Sequence, residues 1–130
     1  MSNEDLIKLA IDVSKNSYSP YSNFKVGAAL LTKNGNLYLG TNVEDASYRA
    51  GTCAERAAFF KAISEGEREF DRIAIVGGED DFSELCFPCG VCRQLISEFC
   101  DEDFKFILGN EKLEYKEHTL GEMLPYIFKK

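Results

Sequence analysis

The chain alternates short apolar runs with polar breaks, and the period of each run selects its element. From Asn3 to Asn16, Leu6, Leu9, Ala10 and Val13 recur at helical spacing behind a capping position and first-turn acids. That pattern predicts a helix covering one face of a sheet. Ser17 to Asn23 has no period and is stiffened by Pro20, which predicts a loop. Val26 to Leu31 is apolar enough for a buried strand, Lys33-Asn34-Gly35-Asn36 turns, and Leu37 to Thr41 returns as the second arm of a hairpin. A helix rich in small and apolar residues runs from Cys53 through Ile63 and stops near Gly66. Glu65 to Arg72 is mostly charged and reads as a solvated turn, whereas Ile73 to Gly78 has the β-branched, glycine-ended composition of a parallel strand.

The second half repeats the alternation. A helix from Cys89 to about Phe99 turns Leu95, Ile96 and Phe99 inward, and Cys100 follows as a core thiol at its end. Phe104 to Leu108 reads as a strand, Gly109-Asn110 as a turn and Lys112 to Tyr115 as a last short strand. Leu120 to Leu124 reads as a helical turn ended by Pro125. Strands joined through helices should be parallel, with antiparallel members from the first hairpin, so the order predicts one α/β layer domain over residues 1–130.

Composition narrows the class. A chain of 130 residues suits one core, and 45% hydrophobic with 28% charged residues is ordinary for a globular protein. The net charge of −7 disfavours nucleic acid and anionic membranes as partners. No apolar run approaches a membrane span, and Met1 to Asp5 lacks the character of a signal peptide. Five cysteines, an odd number with three in a tight cluster, point to metal chemistry in a reducing compartment, the cytoplasm by default. The glycine pair Gly77-Gly78 is no phosphate loop, because Glu79, Asp80 and Asp81 follow it.

The chemistry concentrates in Thr52-Cys53-Ala54-Glu55-Arg56 and Pro88-Cys89-Gly90-Val91-Cys92, about 35 residues apart. Cys89 and Cys92 share a face if a helix begins there, and Cys53 would start another helix. Three thiolates at helix N-termini can hold zinc and leave a fourth position for water, the arrangement of a catalytic rather than a structural site. Glu55 is too close to Cys53 to be an obvious fourth ligand and can instead move a proton between water and a leaving group. Arg56 would offset the excess negative charge of the thiolates. Other readings stay open on the residues alone. A C-x-x-C also marks structural zinc or a redox pair, and Cys86, Cys89 and Cys92 have the spacing of iron–sulfur ligands. Two features favour catalysis: no fourth Cys or suitably spaced His closes the set, and His118 stands alone.

Cys53-Ala54-Glu55 and Pro88-Cys89-Gly90-Val91-Cys92-Arg93-Gln94 stand with Phe24-Lys25-Val26-Gly27-Ala28-Ala29, Asn42-Val43-Glu44 and Ala46-Ser47-Tyr48. Together they resemble the small homotetrameric cytidine deaminases, from about Ser19 to Gln94. The resemblance implies a three-layer domain, a mixed five-stranded sheet with helices on both faces. It implies one zinc ion per subunit on Cys53, Cys89 and Cys92, with Glu55 as the catalytic acid and base. Phe24 would pack near the nucleoside, and Asn42 and Glu44 would bind the ribose hydroxyls, Glu44 taking the 3′-hydroxyl. Backbone groups of Ala54 and Glu55 would read the pyrimidine edge, and Gln94 would support the site. Phe128 is the C-terminal aromatic that would reach a substrate site, its own or a neighbour's, in a homotetramer whose active sites lie near subunit interfaces. Two positions depart from the family pattern. Asp45 stands where Asn is common, and Phe87 where Ser is frequent, which alters packing beside the base.

The implied reaction is hydrolytic deamination of cytidine and 2′-deoxycytidine to the uridine nucleosides and ammonia. Three alternatives differ in kind. A deaminase of another aminopyrimidine, such as a nucleoside antibiotic, would share the metal site without needing Glu44. A polynucleotide editor would want basic and aromatic surface, which the acidic balance opposes. A zinc-stabilised interaction domain would need a fourth protein ligand, for which Cys86 is the candidate.

Overall fold

The computed structural model describes residues 1–130. Its centre is a five-stranded sheet in the order β2-β1-β3-β4-β5. The strands are β1 (Lys25–Thr32), β2 (Leu37–Thr41), β3 (Phe70–Gly78), β4 (Lys105–Gly109) and β5 (Tyr115–Thr119). The β1–β2, β1–β3 and β4–β5 pairs are antiparallel, and β3–β4, joined through a helix, is parallel. The helices are α1 (Asn3–Ser14), α2 (Ala54–Ser64), α3 (Gly90–Phe99) and α4 (Leu120–Met123). This is the expected mixed sheet with helices on both faces.

Strand alternation divides the core in two. Leu6, Ile7 and Ala10 of α1 pack on Ala29, Leu31, Ala74, Val76 and Ile107 on one face. On the other, Ala54, Ala58, Phe59 and Ala62 of α2 and Ile96 of α3 meet Ala28, Leu30, Ile73, Ile75, Phe106 and Leu108. Burial of these side chains stabilises the fold by about 25 cal/mol for each Å² of apolar surface removed from water. No helix is long and apolar enough to cross a membrane.

Most element ends fall within a residue or so of the sequence pattern, and the larger or more telling departures have local causes. The α1 helix ends at Ser14, and its buried face is Leu6, Ile7, Ala10 and Ser14, with Leu9 and Val13 only half-buried. The β3 strand starts at Phe70, inside the stretch read as a solvated turn. Phe70 pairs with Thr32 past an irregularity between Leu31 and Thr32, and its ring is buried against Phe59. The β4 strand runs one residue further than expected, to Gly109. The last strand begins at Tyr115, where the predicted one ended. Residues 110–114 are instead a turn, in which the Asn110 side chain accepts from the Lys112 and Glu114 N–H groups and Leu113 adopts φ of 64°.

Candidate active site

Two helix N-termini on the same face of the sheet build the site. Cys53 is the N-cap of α2 and Cys89 the N-cap of α3, positions where Ser, Thr, Asp or Asn would ordinarily cap the free N–H groups. The Cys89 Sγ takes that role, accepting from the Cys92 N–H at 3.4 Å, while the Cys53 Sγ makes no cap bond. Gly40 of β2 lets α2 lie directly on the sheet. A Cβ there would stand 2.4 Å from the Ala54 carbonyl oxygen and 2.6 Å from the Ala58 nitrogen.

The three sulfurs of Cys53, Cys89 and Cys92 lie within 4.8 Å of one another. Cys53 to Cys89 is 3.8 Å and Cys89 to Cys92 is 3.3 Å. Tetrahedral zinc with sulfur at about 2.3 Å sets sulfurs about 3.8 Å apart. Cys53 and Cys89 match this spacing, and Cys89 and Cys92 would reach it by opening about half an ångström. The set therefore fits a single zinc ion with three protein ligands. Cys86 is not a member. It is half-buried, pressed with the Phe24 ring against Gly77, where a Cβ would meet its Sγ at 2.7 Å. Burial, with the charges of Glu55 and Cys53, pushes the Cys86 thiol up to about 12. The iron–sulfur spacing and the fourth structural ligand are therefore not realised.

Electrostatics separate the groups by role. The Cys92 thiol beside it, with help from Arg56 and Cys89, holds Cys53 well below the ordinary thiol range. The same contact and burial push Cys92 up. Arg56 donates from Nη2 to the Cys53 Sγ at 3.4 Å, while its buried Nε finds no partner. Glu55, in the first turn of α2, is only 4% exposed, and burial pushes its carboxyl up to about 7. A carboxyl poised there can both take and return a proton near neutral pH.

A cavity of about 300 Å³ opens over these groups. Its lining combines Cys53, Ala54, Glu55, Arg56, Cys86, Phe87 and Cys89 around the thiol cluster with Asn42, Val43, Glu44, Asp45, Tyr48 and Gly51 from the loop after β2. Asn42 and Glu44 thus face one hollow, as their strand-like spacing predicted, but both are also loop clamps. The Asn42 Nδ2 donates to the Phe24 carbonyl at 2.8 Å, and its Oδ1 accepts from the Val26 N–H at 2.9 Å and from the Ser17 hydroxyl. The Glu44 Oε1 accepts from the Tyr21 and Ser22 N–H groups, each at 3.1 Å, and Oε2 from the Ser22 hydroxyl.

Three expected residues stand apart. Phe24 is turned to a neighbouring hollow beside Gly77, Gly78 and Leu85. Phe128 is exposed on the tail, and Gln94 donates to its carbonyl at 3.0 Å, so Gln94 anchors the tail on α3 and not the cavity. Sequence reasoning gave Arg93 no role, yet it ties the Pro88 and Met123 carbonyls, bracing the approach to Cys89. It also gave Ser22 no role. Its only sequence signal was its place in a loop next to Phe24.

Comparison with known proteins agrees with this geometry. The profile described as the cytidine and deoxycytidylate deaminase zinc-binding region matches residues 1–108. A cytidine deaminase of Halalkalibacterium halodurans is 47% identical over 128 residues, spanning 98% of this chain and 95% of the relative. A blasticidin-S deaminase of Bacillus cereus is 37% identical over 105 residues, spanning 77% of this chain and 74% of the relative. The crystal structure of cytidine deaminase from Burkholderia pseudomallei superposes with a TM-score of 0.91 at 41% identity, covering 98% of this chain and 100% of that one.

Proposed function

The chain belongs to the cytidine and deoxycytidylate deaminase family, zinc-dependent enzymes acting on cytidine-like nucleosides, and from that premise we propose that it hydrolyses cytidine and 2′-deoxycytidine to uridine and 2′-deoxyuridine, releasing ammonia in pyrimidine salvage. The observation that carries the reading is the buried Glu55 carboxyl opening on the same cavity as Cys53 and Cys89.

Zinc on Cys53, Cys89 and Cys92 supplies, when bound, the Lewis acidity that lowers the pKa of an attacking water. Glu55 accepts one proton from that water and delivers it to N3 of the base as the C4–O bond forms. It then accepts the remaining proton and passes it to the amine as the C4–N bond breaks, so ammonia leaves and the C4 carbonyl remains. Three thiolates exceed a dication by one charge, which Arg56 offsets at Cys53. On this reading the N-terminal N–H groups of Ala54 and Glu55 bind the pyrimidine edge, and Asn42 and Glu44, which line the same cavity, take the sugar hydroxyls.

We further propose a cytoplasmic homotetramer. The acidic chain with five free cysteines supports the compartment, and the exposed Phe60, Val91, Tyr126 and Phe128 support burial between copies, where Phe128 could meet a neighbour's cavity. A blasticidin-like nucleoside is the second reading, favoured by the similarity to blasticidin-S deaminase.

The test is ultraviolet absorbance of cytidine, deoxycytidine and blasticidin S with zinc-loaded protein, with Glu55→Ala alongside. Conversion of cytidine by the parent, and none by a variant that still carries zinc, is expected. Failure of the zinc-loaded parent on both pyrimidine nucleosides overturns the reading, and turnover of blasticidin S alone would replace it by the second.

A further inference from the structure

We propose that the Phe87 ring is a substrate-contacting wall of the cavity, against which the planar base lies at its reacting end; this rests on the deaminase reading above. Only two aromatic side chains line the cavity, Tyr48 and Phe87. Tyr48 lies on the loop whose Ser47 and Gly51 N–H groups donate to Asp45, and its ring already packs edge-on to Tyr21 at 5.6 Å. Phe87 lines the cavity between Cys86, which lies near enough to Glu55 to feel its charge, and Cys89 two residues on, so it stands at the reacting end. The carbon that loses the amine must come within proton-transfer reach of Glu55, so the base and not the sugar occupies this end.

The ring's exposure separates this role from core packing. Phe59 and Phe106 are fully buried, whereas Phe87 is 52% exposed and lines the cavity. The His118 ring lies against it, centroids 6.1 Å apart, with Glu122 3.9 Å from the His118 Nδ1. A half-exposed ring held by a neighbouring ring at a cavity wall offers aromatic surface to a flat ligand. Phe24 does not compete for this place within the chain, since it lines the neighbouring hollow instead.

The experiment compares zinc-loaded parent, Phe87→Ala, Phe87→Leu and Phe87→Tyr by steady-state kinetics on cytidine, with calorimetric Kd for uridine as a readout independent of turnover. Loss of one base–aromatic contact is expected to raise KM and the uridine Kd of Phe87→Ala about 5- to 30-fold, with kcat within about 3-fold. Phe87→Tyr, which keeps the ring, is expected to restore both, and Phe87→Leu to raise both by about 3-fold or more. If Phe87→Ala does not fold, Phe87→Leu decides. Unchanged KM and Kd in either variant of an active parent, or a fall in kcat alone, overturns the inference and leaves the deaminase reading standing. A parent inactive on both nucleosides overturns the reading and, with it, the inference.

Discussion

The carboxylate of Glu44 holds the loop that carries Ser22: one oxygen accepts two backbone N–H groups and the other accepts the Ser22 hydroxyl. A residue expected to greet a ligand hydroxyl is thus oriented by its own chain before any ligand arrives. Those bonds, that of the Ser22 hydroxyl first, hold the Glu44 carboxyl below its ordinary value. Because its proton binds only at a depressed pKa, Glu44 stays ionised until the pH falls below the usual carboxylate range. In Ser22→Ala, KM for cytidine should rise on the order of 3- to 10-fold with kcat little changed. The acid rise of KM should also move up towards the ordinary value of 4.5. KM profiles between pH 4 and 8 check both.

Gly40 sets the height of α2 above the sheet. In Gly40→Ala the new Cβ would meet backbone, the Ala54 carbonyl, and no flexible side chain could yield. Overpacking of this kind costs about 1–3 kcal/mol. Because the displaced turn carries Cys53 and Glu55, stability and zinc affinity should fall together. Thermal melting and competition against a zinc chelator measure the two effects on one sample.

The metal site was legible in the sequence because its signals are local. Cysteine spacing places Cys89 and Cys92 on one face, and an adjacent carboxylate and guanidinium fall naturally in the first turn of a helix begun by Cys53. The fold class was legible for the same reason, as strand and helix periods barely overlap. The turn at 110–114 was not, since it depends on Asn110 side-chain bonds that no period records, nor was the start of β3, where burial of Phe70 overrides its charged neighbours. Positions set by long-range packing were the hardest. Phe24 beside Gly77, Gln94 on the tail and Ser22 on Glu44 each require knowing which loop lies on which strand.

Arg56 lowers the cost of gathering thiolates. Metal binding needs the ligands deprotonated, and the guanidinium beside the Cys53 Sγ favours that form. In Arg56→Gln the Cys53 thiol should hold its proton more tightly, so the pH of half-maximal zinc loading should rise by on the order of one pH unit. Loading followed by zinc release from a buffered indicator between pH 5 and 8 reads the midpoint. An unchanged midpoint would mean that Arg56 acts only by packing.

Cys86 and Cys100 are the two thiols outside the cluster, and burial is the main cause that pushes each up to about 12. At pH 8 only on the order of one in ten thousand of such groups is thiolate, so neither should react readily with iodoacetamide in zinc-loaded protein. Cys86→Ser should keep one zinc per chain, whereas Cys92→Ser, which removes the buried ligand, should lose it. The unfolded thiol ionises near 9.0 and the folded one only near 12, so the protonated form that the fold prefers is fully present below 9. Stability should therefore hold below pH 9 and decline as the pH rises from there towards 12. Replacing both thiols with alanine should flatten that alkaline decline, whatever it costs in packing. Mass spectrometry of alkylated protein and chemical denaturation at pH 8 and 10 test the two consequences. Rapid labelling of Cys86 with zinc retained would show that burial does not control its chemistry.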